Sequence, residues 1–252
     1  MSPPQLQSGT PKQTDCDCED RMRPACYGQV FSREHQGKRY CVLHYPGEKS
    51  DELFDLAVSK KLSAEDYQFQ GVVFPKLADF AGHSFKQPVS FKGASFGGPA
   101  RFAAFEQNAD FSEVTFKDEV DFRGAVFVGV ADFTKARFER DANLAEIFVG
   151  DKAYFAEAVF SARSVFMKVL FGGSADFTRA RFDGHAEFQQ AEFTDNNQSA
   201  IFTESVFATN TDFNAVKFKG DANFYKAYFG GETSFRRSEF IGEADFKRAR
   251  FN

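Results

Sequence analysis

The chain has 252 residues, enough to bury a sizeable core, and its formal net charge of −5 arises from 31 basic and 36 acidic side chains. A balance this mild and mixed argues against direct nucleic-acid binding and against attraction to an anionic membrane surface, and no apolar stretch approaches the roughly 20 residues that span a bilayer. Phe occurs 35 times and Trp not at all, a bias that points to one position used repeatedly.

Residues 1–15, MSPPQLQSGTPKQTD, hold almost nothing to bury and are expected to form a disordered tail. They lack the basic start and apolar run of an export signal, so a cytoplasmic location is expected. Residues 16–66 form the next unit. All four cysteines (Cys16, Cys18, Cys26 and Cys41) fall there, and in a reducing compartment such clustering favours a metal site over disulfides.

The spacing Cys16-x-Cys18, Cys26, Cys41-x2-His44 suits a structural Zn2+ with four sulfur or nitrogen ligands. The expected set is Cys18, Cys26, Cys41 and His44, with Cys16 as the alternative to Cys18. A module this small commonly depends on its metal to fold. Ser50 then reads as a helix N-cap followed by Asp51 and Glu52, and Phe54, Ala57, Val58, Lys61 and Leu62 share one helical face. A helix from 51 to about 62 is expected to cap the segment that begins at residue 67.

From residue 67 the period changes. All the Phe except Phe31, Phe54 and Phe148 fall on a ladder running from Phe69 to Phe251 in alternating steps of five and six. Leu144 fills one slot, and the next belongs to Val149 or, with a slip, to Phe148. Two residues before most ladder positions stands a small residue, such as Ala109, Ala131, Ala153 or Ala175, which shares the inward face. Steps of five and six cannot keep a helical stripe in register. They describe a solenoid whose four steps close a 22-residue coil, about eight coils in all.

In the six-residue steps Gly often stands two after the Phe (Gly98, Gly129, Gly184), where a corner needs positive φ or a close backbone approach. The step from Phe102 to Phe105 is two residues short. The step from Phe193 to Phe202 is three too long, and a bulged loop is expected at 194–198.

The runs ADFTKARFERDANL, ADFTRARFDGHAEF and EADFKRARF resemble the pentapeptide-repeat proteins, specifically the bacterial branch with a central Phe. The resemblance covers 67–252 and implies a right-handed quadrilateral parallel β-helix, an all-β solenoid. The segment YQFQGVVFP at 67–75 is similar to the junction by which a Cys-containing module enters the repeats in some members.

Stacking at 22 residues creates charge columns. Asp110, Asp132, Asp176 and Asp245, with Asn223, form one, and Asp79, Asp121, Asn143, Glu187 and Asp212 form another on the wall next but one. Arg137, Arg181 and Arg250 run between them. The repeats show no Ser-His-Asp grouping, phosphate loop or paired carboxylates, so the expectation is a non-enzymatic protein-interaction scaffold with an unidentified protein partner. The first column is the candidate contact. The alternative is a modulator of a type II topoisomerase, because members of the resembling family act there by imitating DNA. Phe251-Asn252 stays in step with the repeat, and an open last coil would allow a homodimer through that end.

Overall fold

The computed structural model describes residues 16–19, 22–26, 31–194 and 199–252. The expected disordered tail at 1–15 lies outside them, as do residues 195–198 of the expected bulged loop. A helical turn at Arg23–Cys26 precedes an antiparallel hairpin of Phe31–His35 with Lys38–Cys41. The hairpin reverses through Gln36 (φ 50°) and Gly37 (φ 75°), the two positive-φ positions that a tight hairpin turn demands.

A helix spans Asp51–Ser63, with the Ser50 side chain accepting from the Leu53 amide, acids in its first turn and Lys60 and Lys61 in its last. Its buried residues are Phe54, Ala57 and Lys61. The Phe54 ring meets Phe74 edge-on at 5.5 Å. Lys61 is buried only because its ammonium has a partner: Asp66 holds it at 2.6 Å, and it lies 5.7 Å over the Phe69 ring. The apolar stripe of the helix therefore closes over the first coil of the solenoid.

From Val73 the chain winds into a parallel β-solenoid of about eight turns, built from two-residue strands. Four stacks of strands make four walls, named here for their first ladder residue. The Phe74 wall runs from Val73–Phe74 to Arg250–Phe251, and the Phe91 wall begins at Val89–Ser90 and ends at Ala244–Asp245. The Phe80 and Phe85 walls join into one 14-stranded sheet, because Ala78–Phe85 and Ala100–Phe105 run unbroken around their shared corner. That continuity absorbs the short step at Phe102, with a register shift between Phe80 and Ser84.

Registers such as Val120↔Ala142 and Ala131↔Ala153 fix the 22-residue coil. Past Phe193 the register becomes Ala175↔Ala200, so the extra residues leave the ladder intact. Inside, each Phe stacks on its counterpart one coil away: Phe133, Phe155, Phe177, Phe202 and Phe224 form a column with centroids 4.8–5.0 Å apart and rings within 4° of parallel. Neighbouring columns meet edge-on, as Phe155 meets Phe166 at 5.5 Å and 85°. Such pairs add roughly 0.5–1.5 kcal/mol each beyond area burial. The slot left open between Phe148 and Val149 goes to Val149, which is fully buried, while Phe148 faces outward.

Of the two reasons for Gly at the six-residue corners, close approach is the one that applies. Gly98 and Gly184 do not carry positive φ; they stand where a Cβ would collide with the backbone of Lys76 and of Ala162 in the adjacent coil. Positive φ belongs to the five-residue corners, where Gly93 and Gly124 share it with Glu113, Lys135, Glu157, Arg179 and Glu204. Charged residues are held in the left-handed region there because Phe111 O accepts from Val114 N, and its equivalents do likewise, closing a turn whose third residue must have φ > 0.

Candidate metal centre

The N-terminal module gathers its donors from four pieces of chain. Asp17 N donates to Arg39 O and Arg39 N to Asp17 Oδ2, both at 2.7 Å, laying residues 16–18 beside the second hairpin strand. Cys26 ends the short helical turn and Cys41 ends that strand. A turn in which His44 N and Tyr45 N both donate to Cys41 O then brings the His44 ring back over the strand end.

Cys16, Cys26, Cys41 and His44 are all buried, and their ligand atoms lie within 4.8 Å of one another, so this group could hold a metal ion. Cys26 Sγ and Cys41 Sγ are 3.8 Å apart, and His44 Nδ1 is 3.1 Å from the first and 3.2 Å from the second. Tetrahedral zinc with its usual bond lengths separates sulfurs by about 3.8 Å and sulfur from nitrogen by about 3.5 Å. Cys18 stands at the side of the group, its Sγ 3.2 Å from that of Cys26. Cys41 N donates to Cys16 Sγ at 3.3 Å, the type of amide contact that favours a thiolate.

The other ring nitrogen of His44 settles the tautomer. Nε2 lies 2.7 Å from the carbonyl oxygen of Gln70, which can only accept, so Nε2 carries a hydrogen and Nδ1 is the nitrogen left to ligate an ion among the sulfurs. Gln70 is in the first coil, so the same ring ties the module to the solenoid. Beside it Lys49 Nζ donates at 2.6 Å to Leu43 O and to Val73 O, and Val73 N donates back to Leu43 O. Burial lowers the Lys49 pKa to about 7.

Thiols this close cannot all be charged without a cation. Hydrogen bonds from Cys18, Cys26 and Cys41 hold Cys16 far below the ordinary thiol range, while sharing with Cys16 pushes Cys18 up to about 12 and drives Cys26 up as well. Burial alone would lower His44, yet its contacts with Cys16 and Cys41 raise it to about 9. A bound divalent cation removes this conflict by accepting every sulfur as thiolate. All four cysteines are free of disulfides.

In the repeats the charge columns stand on the walls where the 22-residue spacing puts them. Asp110 pairs with Asp132 in adjacent coils, but Tyr154 and Ile201 then separate Asp132, Asp176 and Asp245 along the Phe91 wall. Each of the four carboxylates accepts the amide two residues on: Ser112, Thr134, Thr178 and Lys247, at 2.8–2.9 Å. Asn143 and Asn223 do the same with their side-chain oxygens. The acids therefore cap turns, whatever else they touch. On the Phe80 wall Glu187 is buried and held by Arg163 through two hydrogen bonds at 2.5 and 3.0 Å.

Two further features were not anticipated. The positive-φ corner between the Phe91 and Phe74 walls reads Glu113, Lys135, Glu157, Arg179, Glu204, Lys226, Arg248, with Lys135 paired to Glu157 at 3.8 Å and both Arg179 and Lys226 to Glu204 at 3.0 Å. Alternating signs at 22-residue spacing were there to find. On the Phe85 wall Val126, Phe148 and Leu170, in register on successive coils, form an exposed apolar strip. His83 is half-buried against Tyr67 and Phe85, with no hydrogen-bond partner for Nε2 among the described residues. No helix of the described residues is long and apolar enough to cross a membrane.

Comparison with curated proteins and with solved structures finds no match. A family model described as pentapeptide repeats (9 copies) matches residues 103–147 and 213–252. The same walls run through the described residues of the segment between those two stretches. These two stretches of the solenoid therefore carry pentapeptide repeats.

Proposed function

We propose that the chain is a non-catalytic interaction scaffold: a rigid β-helix that presents flat walls to a protein partner, with a structural Zn2+ securing its N-terminal module. The scaffold reading is carried by the Phe ladder, whose stacked rings fill the interior and leave the walls and corners to do any work. The candidate contact is the Phe91 wall, where Asp132, Asp176 and Asp245 are half-exposed and use one carboxylate oxygen for the turn cap. A cationic partner surface suits the row. A cytoplasmic setting is supported by the four free thiols.

Zinc is supported over other divalent ions by the donor set of three sulfurs and an imidazole, by its burial and by the fixed His44 tautomer. Cys16 is the better-placed fourth ligand, with Cys18 next to it. The two are separated by one residue, and spacing alone does not decide which one faces the cluster.

Substituting Asp132→Asn and Asp176→Asn together tests the contact, because Asn keeps the cap and removes the charge. With the full chain as bait, a partner captured by the wild type and lost by the double variant supports the proposal. Equal capture refutes the acidic row as the contact. Imitation of a DNA duplex is less well supported, since the adjoining corner pairs its acids with Lys and Arg; protection or inhibition of a type II topoisomerase in a supercoiling assay would restore it.

A further inference from the structure

A tetrahedral centre has four places, and the module brings five donors to it. Cys16, Cys26, Cys41 and His44 form the compact group. Cys18 is left over, buried, with its Sγ 3.2 Å from Cys26 Sγ, closer than the Cys41 sulfur at 3.8 Å. Cys26 is also the hub, since it touches Cys18, Cys41 and His44 Nδ1. A spare sulfur beside a ligand sulfur is what a reversible thiol switch needs.

We propose that Cys18 is the resolving thiol of a hydroperoxide-responsive switch at this centre, forming a disulfide with Cys26 that removes Cys26 from the ligand set. The inference rests on the metal reading above. Held as a ligand, Cys26 is a thiolate, the form that reacts with a peroxide. Its sulfur attacks the outer oxygen of ROOH, the O–O bond breaks, and RO⁻ leaves and takes a proton as ROH, giving Cys26–SOH. The Cys18 thiol then attacks that sulfur; the S–S bond forms, the S–O bond breaks, and hydroxide leaves with the Cys18 proton as water. Two thiols lose two electrons, and one hydroperoxide is reduced to ROH and water.

The consequence runs through His44. With Cys26 withdrawn only three donors remain, and the ring that joins the cluster to Gln70 O loses its anchor on the module side. The contact expected to loosen first is the Val73 amide on Leu43 O, next to that joint. A thiol reductant reverses the step.

The test uses the full chain reconstituted with zinc and titrated with hydrogen peroxide. Released zinc is followed with a metallochromic dye, disulfides are mapped by mass spectrometry without reduction, and amide exchange is followed at Val73. The expected wild-type result is zinc release together with a Cys18–Cys26 link and faster exchange at Val73, all reversed by dithiothreitol and zinc. Cys18→Ser should bind zinc in the wild-type ratio, but dithiothreitol should not restore it after peroxide, because Cys26 goes on to the sulfinic acid. A link between another pair, full recovery of Cys18→Ser, or a Cys18→Ser chain that no longer binds zinc overturns the proposal. A wild-type chain that takes up no metal overturns the metal reading and this inference with it. Normal zinc content without a Cys18–Cys26 link overturns this inference alone.

Discussion

His44 Nε2 donates to the carbonyl oxygen of Gln70 at 2.7 Å while its Nδ1 faces Cys26 and Cys41, so one imidazole belongs both to the N-terminal module and to the first coil. In a solenoid each coil is stabilised by its neighbours, and a terminal coil has one neighbour fewer. The ring supplies the missing contact. Cys41→Ser, or chelation of the metal, should therefore raise amide exchange at Val73 and its surroundings and leave Phe155 to Phe229 protected. Loss of protection throughout the solenoid would show that the module does more than cap.

Lys49 is the second tie, and its pH dependence has a definite sign. Its folded pKa of about 7 lies below the ordinary 10.5 because burial penalises the ammonium. The unfolded chain thus binds more protons between those values, and stability rises with pH across the window from about 7 to 10.5, or equivalently is lost as pH falls through it. Lys49→Met abolishes that slope. It also strips Val73 O and Leu43 O of their Nζ donor, so near pH 10, where burying Lys49 carries little protonation penalty, the variant should be less stable by about 1–3 kcal/mol, and the difference should shrink or reverse as pH falls toward 7. Denaturant midpoints of both chains, metal-loaded and measured over pH 7 to 10, give the comparison.

The repeat was legible because a solenoid writes its geometry into one short period: ladder Phe, inward Ala and coil length all follow from which residues must face inward. What the period hid were choices between adjacent residues. Phe148 and Val149 both suit an inward slot, and only the strand pairing of Phe148–Val149 with Val126–Phe127 decides. Cys16 and Cys18 are ambiguous for the same reason. Gly98 and Gly184 mark close approach of stacked backbones, whereas the corners with φ > 0 carry long charged residues whose type gives no hint of backbone conformation. Their ion pairs across coils follow from charges of opposite sign one coil apart, a signal that the period exposes once the corner is known.

Ala215 tests the cost of those corners. It sits at φ 57°, in the position that Gly124 occupies in its own coil, and as an Ala it has no charge to pair with a neighbour. A left-handed Ala costs roughly 1–2 kcal/mol, part of which Gly gives back through its freer unfolded chain. Ala215→Gly should raise stability by about 0.5–1 kcal/mol. Glu204→Gly sets two effects against each other: it relieves the same backbone but breaks the contacts with Arg179 and Lys226, which water and salt screen at the surface, so its net change should be small and salt-dependent. Melting curves at low and high salt separate the two.

The turn caps give a contrast on a single residue. Asp132 Oδ1 accepts the Thr134 amide at 2.8 Å, and Asn143 Oδ1 accepts the Ala145 amide at 3.2 Å on another wall. Asp132→Ala should cost about 1 kcal/mol, the usual worth of such a bond, and Asp132→Asn much less. If both variants lose the same stability, the carboxylate charge and not the cap is what the fold uses.

Phe155 and Phe148 stand seven residues apart and should respond in opposite ways. Phe155 is fully buried between Phe133 and Phe177, stacked at 5.0 and 4.8 Å, and the coils cannot close over the gap because their backbones are pinned by hydrogen bonds such as Phe155 N to Asp176 O. Phe155→Ala should cost about 3–5 kcal/mol. Phe148 lies on the outer face with 37% of its surface exposed, so Phe148→Ala removes little buried area and should change stability by well under about 1 kcal/mol. The neighbouring Val149→Ala, in the inward slot, should cost more than Phe148→Ala although it deletes fewer atoms. Equal losses for the last two in a denaturant titration would mean that the chain has slipped by one residue and put Phe148 inside.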